Sequence, residues 1–127
     1  MSTKQAKRQY ERNILVELGP GNMGAGNEVT AKLPQGAWVT NVVPVTQTAF
    51  NSETTATMTV TDGTTVFVNA QDVKSTGIET AAVTQKYYPQ GGTLTFSLAQ
   101  TGAGATAGRA LVKVSYLQSD VEDEIRD

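Results

Sequence analysis

The chain has 127 residues and a formal charge of −2, with no cysteine and no histidine. A chain of this length fits one domain and can bury a core without metal or disulfide support. The missing residue types exclude disulfide frameworks, thiol nucleophiles, zinc sites built on Cys or His, and Ser-His-Asp catalysis.

The charge is unevenly placed. Residues 1–12 (MSTKQAKRQYER) carry Lys4, Lys7, Arg8 and Arg12 against Glu11, net +3. Residues 118–127 carry Asp120, Glu122, Asp123, Glu124 and Asp127 against Arg126, net −4. The division expected is a basic arm (1–12), a β-domain (13–117) and an acidic tail (118–127). Tyr10 is the arm's one large apolar anchor. A charge of +3 is small beside what salt-dependent nucleic-acid binding needs, so a solvated tail or an arm docking on a neighbouring protein is the better reading and nucleic acid is not expected. No apolar run approaches the roughly 20 residues of a membrane span, and the first residues lack the apolar core of an export signal.

Asn13–Leu18 (NILVEL) reads as a first strand. Gly19-Pro20-Gly21-Asn22-Met23-Gly24 matches G-x-G-x-x-G by letter, but a dinucleotide loop needs a helix to open behind it. The next stretch, Glu28–Leu33, instead alternates as a strand with Val29, Ala31 and Leu33 inward, so the glycines read as a connection. After a Pro34-Gln35-Gly36 turn comes the longest β-rich run, Ala37–Phe50. Pro44 cannot donate to a ladder, which predicts a sheet edge or a bulge there. Trp38 is expected to plug one end of the core.

Thr55–Asn69 (TATMTVTDGTTVFVN) is the clearest hairpin. Ala56, Met58 and Val60 alternate with threonines, and Asp62-Gly63 marks the turn. A three-residue loop with Gly63 in the left-handed bulge position sets Met58 opposite Val66 and Ala56 opposite Val68, which keeps one face apolar. That register leaves Phe67 on the threonine face, either covered by loops or touching another subunit. Phe67 therefore stands with Lys4, Lys7, Arg8, Tyr10 and Arg12 as a candidate protein-contact residue.

Asn69–Gly77 predicts a short helical turn or loop. Ile78–Tyr88 is β-compatible and ends in a Pro89–Gly92 turn. Thr93–Ala99 alternates with Leu94, Phe96 and Leu98 inward. Thr101–Gly108 is a loop of residues too small to pack. Arg109–Leu117 is the last strand, with Lys113 and Ser115 outward. About eight strands, spaced by turn signals and without an amphipathic helix, predict an all-β antiparallel sandwich or jelly-roll-like barrel. Glu53, Asp62, Asp72 and Glu79 are the carboxylates a glycosidase-like pair would draw on. Turn and surface roles account for them better, so neither an enzyme nor a cofactor is expected.

Several stretches together resemble the small β-sandwich structural proteins of tailed bacteriophages, of the head decoration or cement type. They are Leu33–Ala37, Thr48–Asn51, Asp62-Gly63, Asp72-Val73, Thr76-Gly77, Tyr88–Leu94, Thr106–Gly108 and Val114–Tyr116. The likeness spans roughly residues 28 to 117 and leaves out both charged ends. It implies a protein on the capsid exterior, assembled in the host cytoplasm, that bridges major capsid subunits and self-associates as a dimer or trimer on the shell. Two alternatives remain: another phage component (head-tail joining, tail or head-fibre protein) or a carbohydrate-binding sandwich using Phe67 and Tyr87.

Overall fold

The structure, a computed structural model, describes residues 11–78 and 84–118. It contains nine strands: β1 (Arg12–Leu18), β2 (Val29–Leu33), β3 (Ala37–Thr48), β4 (Thr55–Thr61), β5 (Val66–Asp72), β6 (Gly77–Ile78), β7 (Lys86–Tyr88), β8 (Gly92–Thr101) and β9 (Arg109–Gln118). One 3₁₀ turn, Pro20–Asn22, comes directly after β1. There is no α-helix among the described residues.

The strands form two antiparallel sheets facing each other. One runs β1-β9-β3-β6, with β7 also on β3; the other runs β2-β8-β4-β5. Only the β4–β5 connection stays within its sheet by a tight hairpin, so most links cross from one layer to the other. Alternation along each strand decides what lies between the layers. The first sheet contributes Val16, Leu18, Val39, Val42, Val112 and Val114. The second contributes Leu33, Met58, Val60, Leu94, Phe96 and Leu98. Each fully buried side chain of this size stabilises by about 1.5–3 kcal/mol relative to exposure. An all-β sandwich is thus what the chain forms.

Several local expectations need correction. The hairpin loop is four residues, Asp62–Thr65: Thr61 pairs with Val66, Val60 with Val68, and Met58 with Gln71. Two extra residues therefore sit on β5. The first is Phe67, and the bulge there turns Phe67 inward beside Val68, leaving it 5% exposed. Phe67 is a core residue, because a bulge places consecutive side chains on one face where strict alternation would have pointed it out. The second irregularity carries Ala70 at φ 49°, and its N–H donates to Thr59 Oγ1 (3.1 Å). Asn69–Gly77 therefore makes no helical turn: β5 continues to Asp72, and the expected loop is confined to residues 73–76 before β6.

Trp38 does not plug the core. It lies 44% exposed on the outer side of β3, because Ala37 and Val39 on either side of it both point inward. Pro44 makes no bulge: it is buried and pairs with Val112, while the shifts in register fall at Thr40 and Gln47. On its other side no described strand pairs with it, since β7 ends its pairing at Val39 and β6 starts at Val45. The 101–108 loop also packs, with Ala105 against the core.

Candidate functional site

Two places collect side chains that the core does not explain. The first is the hairpin loop. Asp62 Oδ1 accepts from the N–H groups of Thr64 (2.8 Å) and Thr65 (2.6 Å), the usual reward for Asp at the start of a turn. Its Oδ2 accepts from Lys86 Nζ (2.6 Å) and the Tyr88 hydroxyl (2.6 Å), both on β7 of the opposite sheet. Lys86 Nζ also donates to Thr65 Oγ1 (3.1 Å) and sits 5.2 Å from the Tyr88 ring centroid. Burial alone would raise the Asp62 carboxyl's pKa. The bonds from Lys86, Tyr88, Thr65 and Thr64 together outweigh it and hold the pKa well below the ordinary carboxylate range. Tyr88 shifts the other way: burial, then its bond to Asp62 and that group's negative charge, push its hydroxyl above the usual value. Four donors saturate this carboxylate, so what it can do chemically is hold. It clasps one sheet to the other.

The second place is the outer face of the β1-β9-β3 sheet. Register pairing puts Leu15, Lys113 and Val43 in one row. Leu111, Val45 and Ile78 make a second, with Glu17 at its β1 end. Leu117, Trp38 and Tyr87 make a third. Four of the five large hydrophobics exposed among the described residues are here: Leu15, Trp38, Ile78 and Tyr87. Scattered exposed apolar residues carry no message, but several sharing one sheet face mark an interaction surface. A polar row, Asn13–Ser115–Asn41, with Ser115 Oγ donating to Asn13 Oδ1 (2.8 Å), separates the Trp38 row from the other two. Trp38 Nε1 donates to Gln85 Oε1 (3.2 Å), and Glu17 accepts from Arg109 Nη2 (2.7 Å). Lys113 has no ion-pair partner among the described residues. The outer positions of β8 and β4 look quite different: Thr93, Thr95 and Ser97 beside Thr55, Thr57, Thr59 and Thr61.

Of the residues picked from the sequence, Lys4, Lys7, Arg8 and Tyr10 lie outside the described residues. Arg12 begins β1, exposed, opposite Tyr116. Phe67 is in the core and is not a surface contact. Among the carboxylates, Asp72 accepts from the Lys74 N–H (2.8 Å) in a local turn, Asp62 is the clasp, and Glu79 lies outside the described residues. No cluster of three or more acids that could hold a metal occurs among the described residues. Sequence reasoning missed the apolar face because its members come from five separate strands. Parity around Ala37 and Val39 was the one available signal for Trp38.

No protein-family model and no curated protein matches the chain. Among solved structures, a chain of the cyanophage Pam1 capsid asymmetric unit matches at a TM-score of 0.65 and 20% identity. The match covers 92% of this chain and 91% of that one, so the two are similar from end to end and of similar length. The likeness is one of fold.

Proposed function

We propose that this chain is a non-enzymatic structural protein of a bacteriophage virion, of the decoration type, which binds the outside of the shell and bridges major capsid subunits. The observation that carries the reading is the end-to-end likeness of fold to a chain of a phage capsid asymmetric unit. The exposed apolar side chains gathered on one outer face and the saturation of the best-placed carboxylate support it. Lys4, Lys7, Arg8, Tyr10 and Arg12 are proposed as an arm on an acidic shell surface. Copies of the chain on a repeating shell add their modest contacts together, so each one alone can be weak.

The test is the distribution of the chain in purified particles. Copies spread over the head in numbers comparable with the shell subunit support decoration. A single ring at one vertex points to a joining or tail component, and absence from the particle ends the virion reading. A chain lacking residues 1–10 that stays on shells as firmly as the full one removes the arm from the proposal. Trp38 and Tyr87, paired in register on an outer strand face, give one specific reason to weigh a carbohydrate-binding reading. A glycan array without hits dismisses it.

A further inference from the structure

We propose that the outer face of the β1-β9-β3 sheet, with Lys113 at its centre, docks on a different protein whose complementary patch is apolar around a carboxylate that pairs with Lys113. This rests on the virion reading and deepens it by naming the face used and the chemistry of the shell surface it meets.

The apolar rows supply the area, and Lys113 supplies the constraint. Leu15 flanks it across β1 and Val43 across β3, so any surface that covers these two also covers the lysine. An ammonium group removed from water without a partner is strongly unfavourable, so a closed interface here has to bring an acid to it. The nearest acid on the face, Glu17, already binds Arg109.

A second copy of the chain fits poorly. Face against face, it would bring two uncompensated lysines together. Face against the other sheet, it would meet the hydroxyls of Thr59, Thr95 and Ser97 and the amine of Lys32. The carboxylates there lie at its edges, Asp72 beside Thr57 on β5 and Glu28 just before β2, and each already accepts from a local N–H, of Lys74 (2.8 Å) and Gly26 (2.8 Å). The occupant that the charge favours is another protein's acidic, apolar patch.

The experiment uses shells of the same virus stripped of this protein, co-sedimented with the full chain and with variants whose fold is checked by circular dichroism and melting. Leu15→Asp and Lys113→Glu are expected to bind about tenfold or more weakly, Lys113→Met less weakly than Lys113→Glu, and Thr30→Asp on the opposite sheet like the parent. Trp38, the chain's one tryptophan, should shift its emission to the blue on docking. If the parent fails to sediment, the virion reading falls and this inference with it. If the parent sediments and Leu15→Asp and Lys113→Glu match it, the virion reading stands and the face is wrong. Lys113→Met binding as tightly as the parent removes the carboxylate. A blue shift that grows with the chain's own concentration, without shells, and vanishes in Leu15→Asp makes the occupant a second copy and overturns the proposal. It is equally overturned if a chain ending at Gln118 loses the difference between the parent and Lys113→Glu, since the acid would then be the chain's own tail.

Discussion

The two ends of the sandwich are closed by different chemistry. At one end an ionised carboxylate, Asp62, ties the β4–β5 loop to Lys86 and Tyr88 on the other sheet. At the opposite end neutral amides do the same work. Asn51 Oδ1 accepts from the N–H groups of Thr106 (2.8 Å) and Ala107 (3.0 Å). Gln100 Oε1 accepts from the Ser52 hydroxyl (2.7 Å) and the Ala105 N–H (2.8 Å). Below them Gly108, at φ 145°, lies against the ring of buried Phe50. The charged end is also where β1 begins and β9 finishes, since Arg12 pairs with Tyr116 and Ala37 with Gln118. The enclosed carboxylate with a lowered pKa thus lies at the end where β1 begins and β9 finishes. The Asn51 and Gln100 contacts that close the other end are neutral, with the exposed Arg109–Glu17 pair beside them.

The largest effect should come from breaking the neutral end at its tightest point. A Cβ on Gly108 would collide with the Phe50 ring, and the residue's positive φ disfavours any side chain. Gly108→Ala is expected to cost about 3 kcal/mol or more, from overpacking and backbone strain together, read as a lower midpoint in urea unfolding. An unchanged midpoint would mean that Phe50 moves aside freely and that this end is loosely packed.

Next comes the charged end. Asp62→Ala leaves Lys86 and Tyr88 without their acceptor and two loop N–H groups unsatisfied, an expected loss of about 2–3 kcal/mol. The pH dependence sharpens the contrast. The folded Asp62 pKa is lowered, so its contribution is complete above the ordinary carboxylate value and is lost progressively as the pH falls below it. Tyr88 is raised, so its contribution is complete below the ordinary phenol value and is lost as the pH climbs above it. Urea midpoints of the parent should therefore fall at both extremes, and Asp62→Ala should flatten the acid limb. Asn51→Ala, which removes three exposed bonds for about 1 kcal/mol, should leave that limb intact. Equal acid limbs in the parent and in Asp62→Ala would show that other carboxylates carry the dependence.

How far the sequence reveals this arrangement depends on the range of the interaction. Strands whose inward residues alternate without interruption, such as β8 with Leu94, Phe96 and Leu98, are legible because period-two burial is a local property. Asp62 as a turn residue is legible for the same reason. Its second oxygen is not, because nothing in the sequence near Asp62 announces Lys86 and Tyr88 on another sheet. Bulges hide the rest. One extra residue at Phe67 reverses the face of an aromatic, and one at Thr40 breaks the alternation beyond Trp38. The size of Trp38 favours the core, while the parity set by Ala37 and Val39 favours the surface; parity wins. The outer face is assembled from β1, β3, β6, β7 and β9, so only the register reveals that Leu15, Lys113 and Val43 are neighbours.

The smallest expected effect isolates what burial does to an ion pair. Arg109–Glu17 and Lys86–Asp62 have nearly equal contact distances, 2.7 and 2.6 Å. Geometry therefore cannot separate them. Burial can: the Asp62 side chain is 6% exposed and that of Glu17 60%. Water competes for both members of the exposed pair, and holding two long side chains together costs rotamer entropy, so Arg109→Ala should lose no more than about 0.5 kcal/mol. That loss should shrink as salt is added, whereas the cost of Asp62→Ala should hardly change, because a carboxylate enclosed by four donors is little screened. Measuring both variants in low and high salt compares the same contact in two surroundings. Equal losses in low salt would mean that the Asp62 carboxylate gains nothing from its enclosure, and that its bonds from Lys86, Tyr88 and the two loop N–H groups together hold no better than an exposed ion pair.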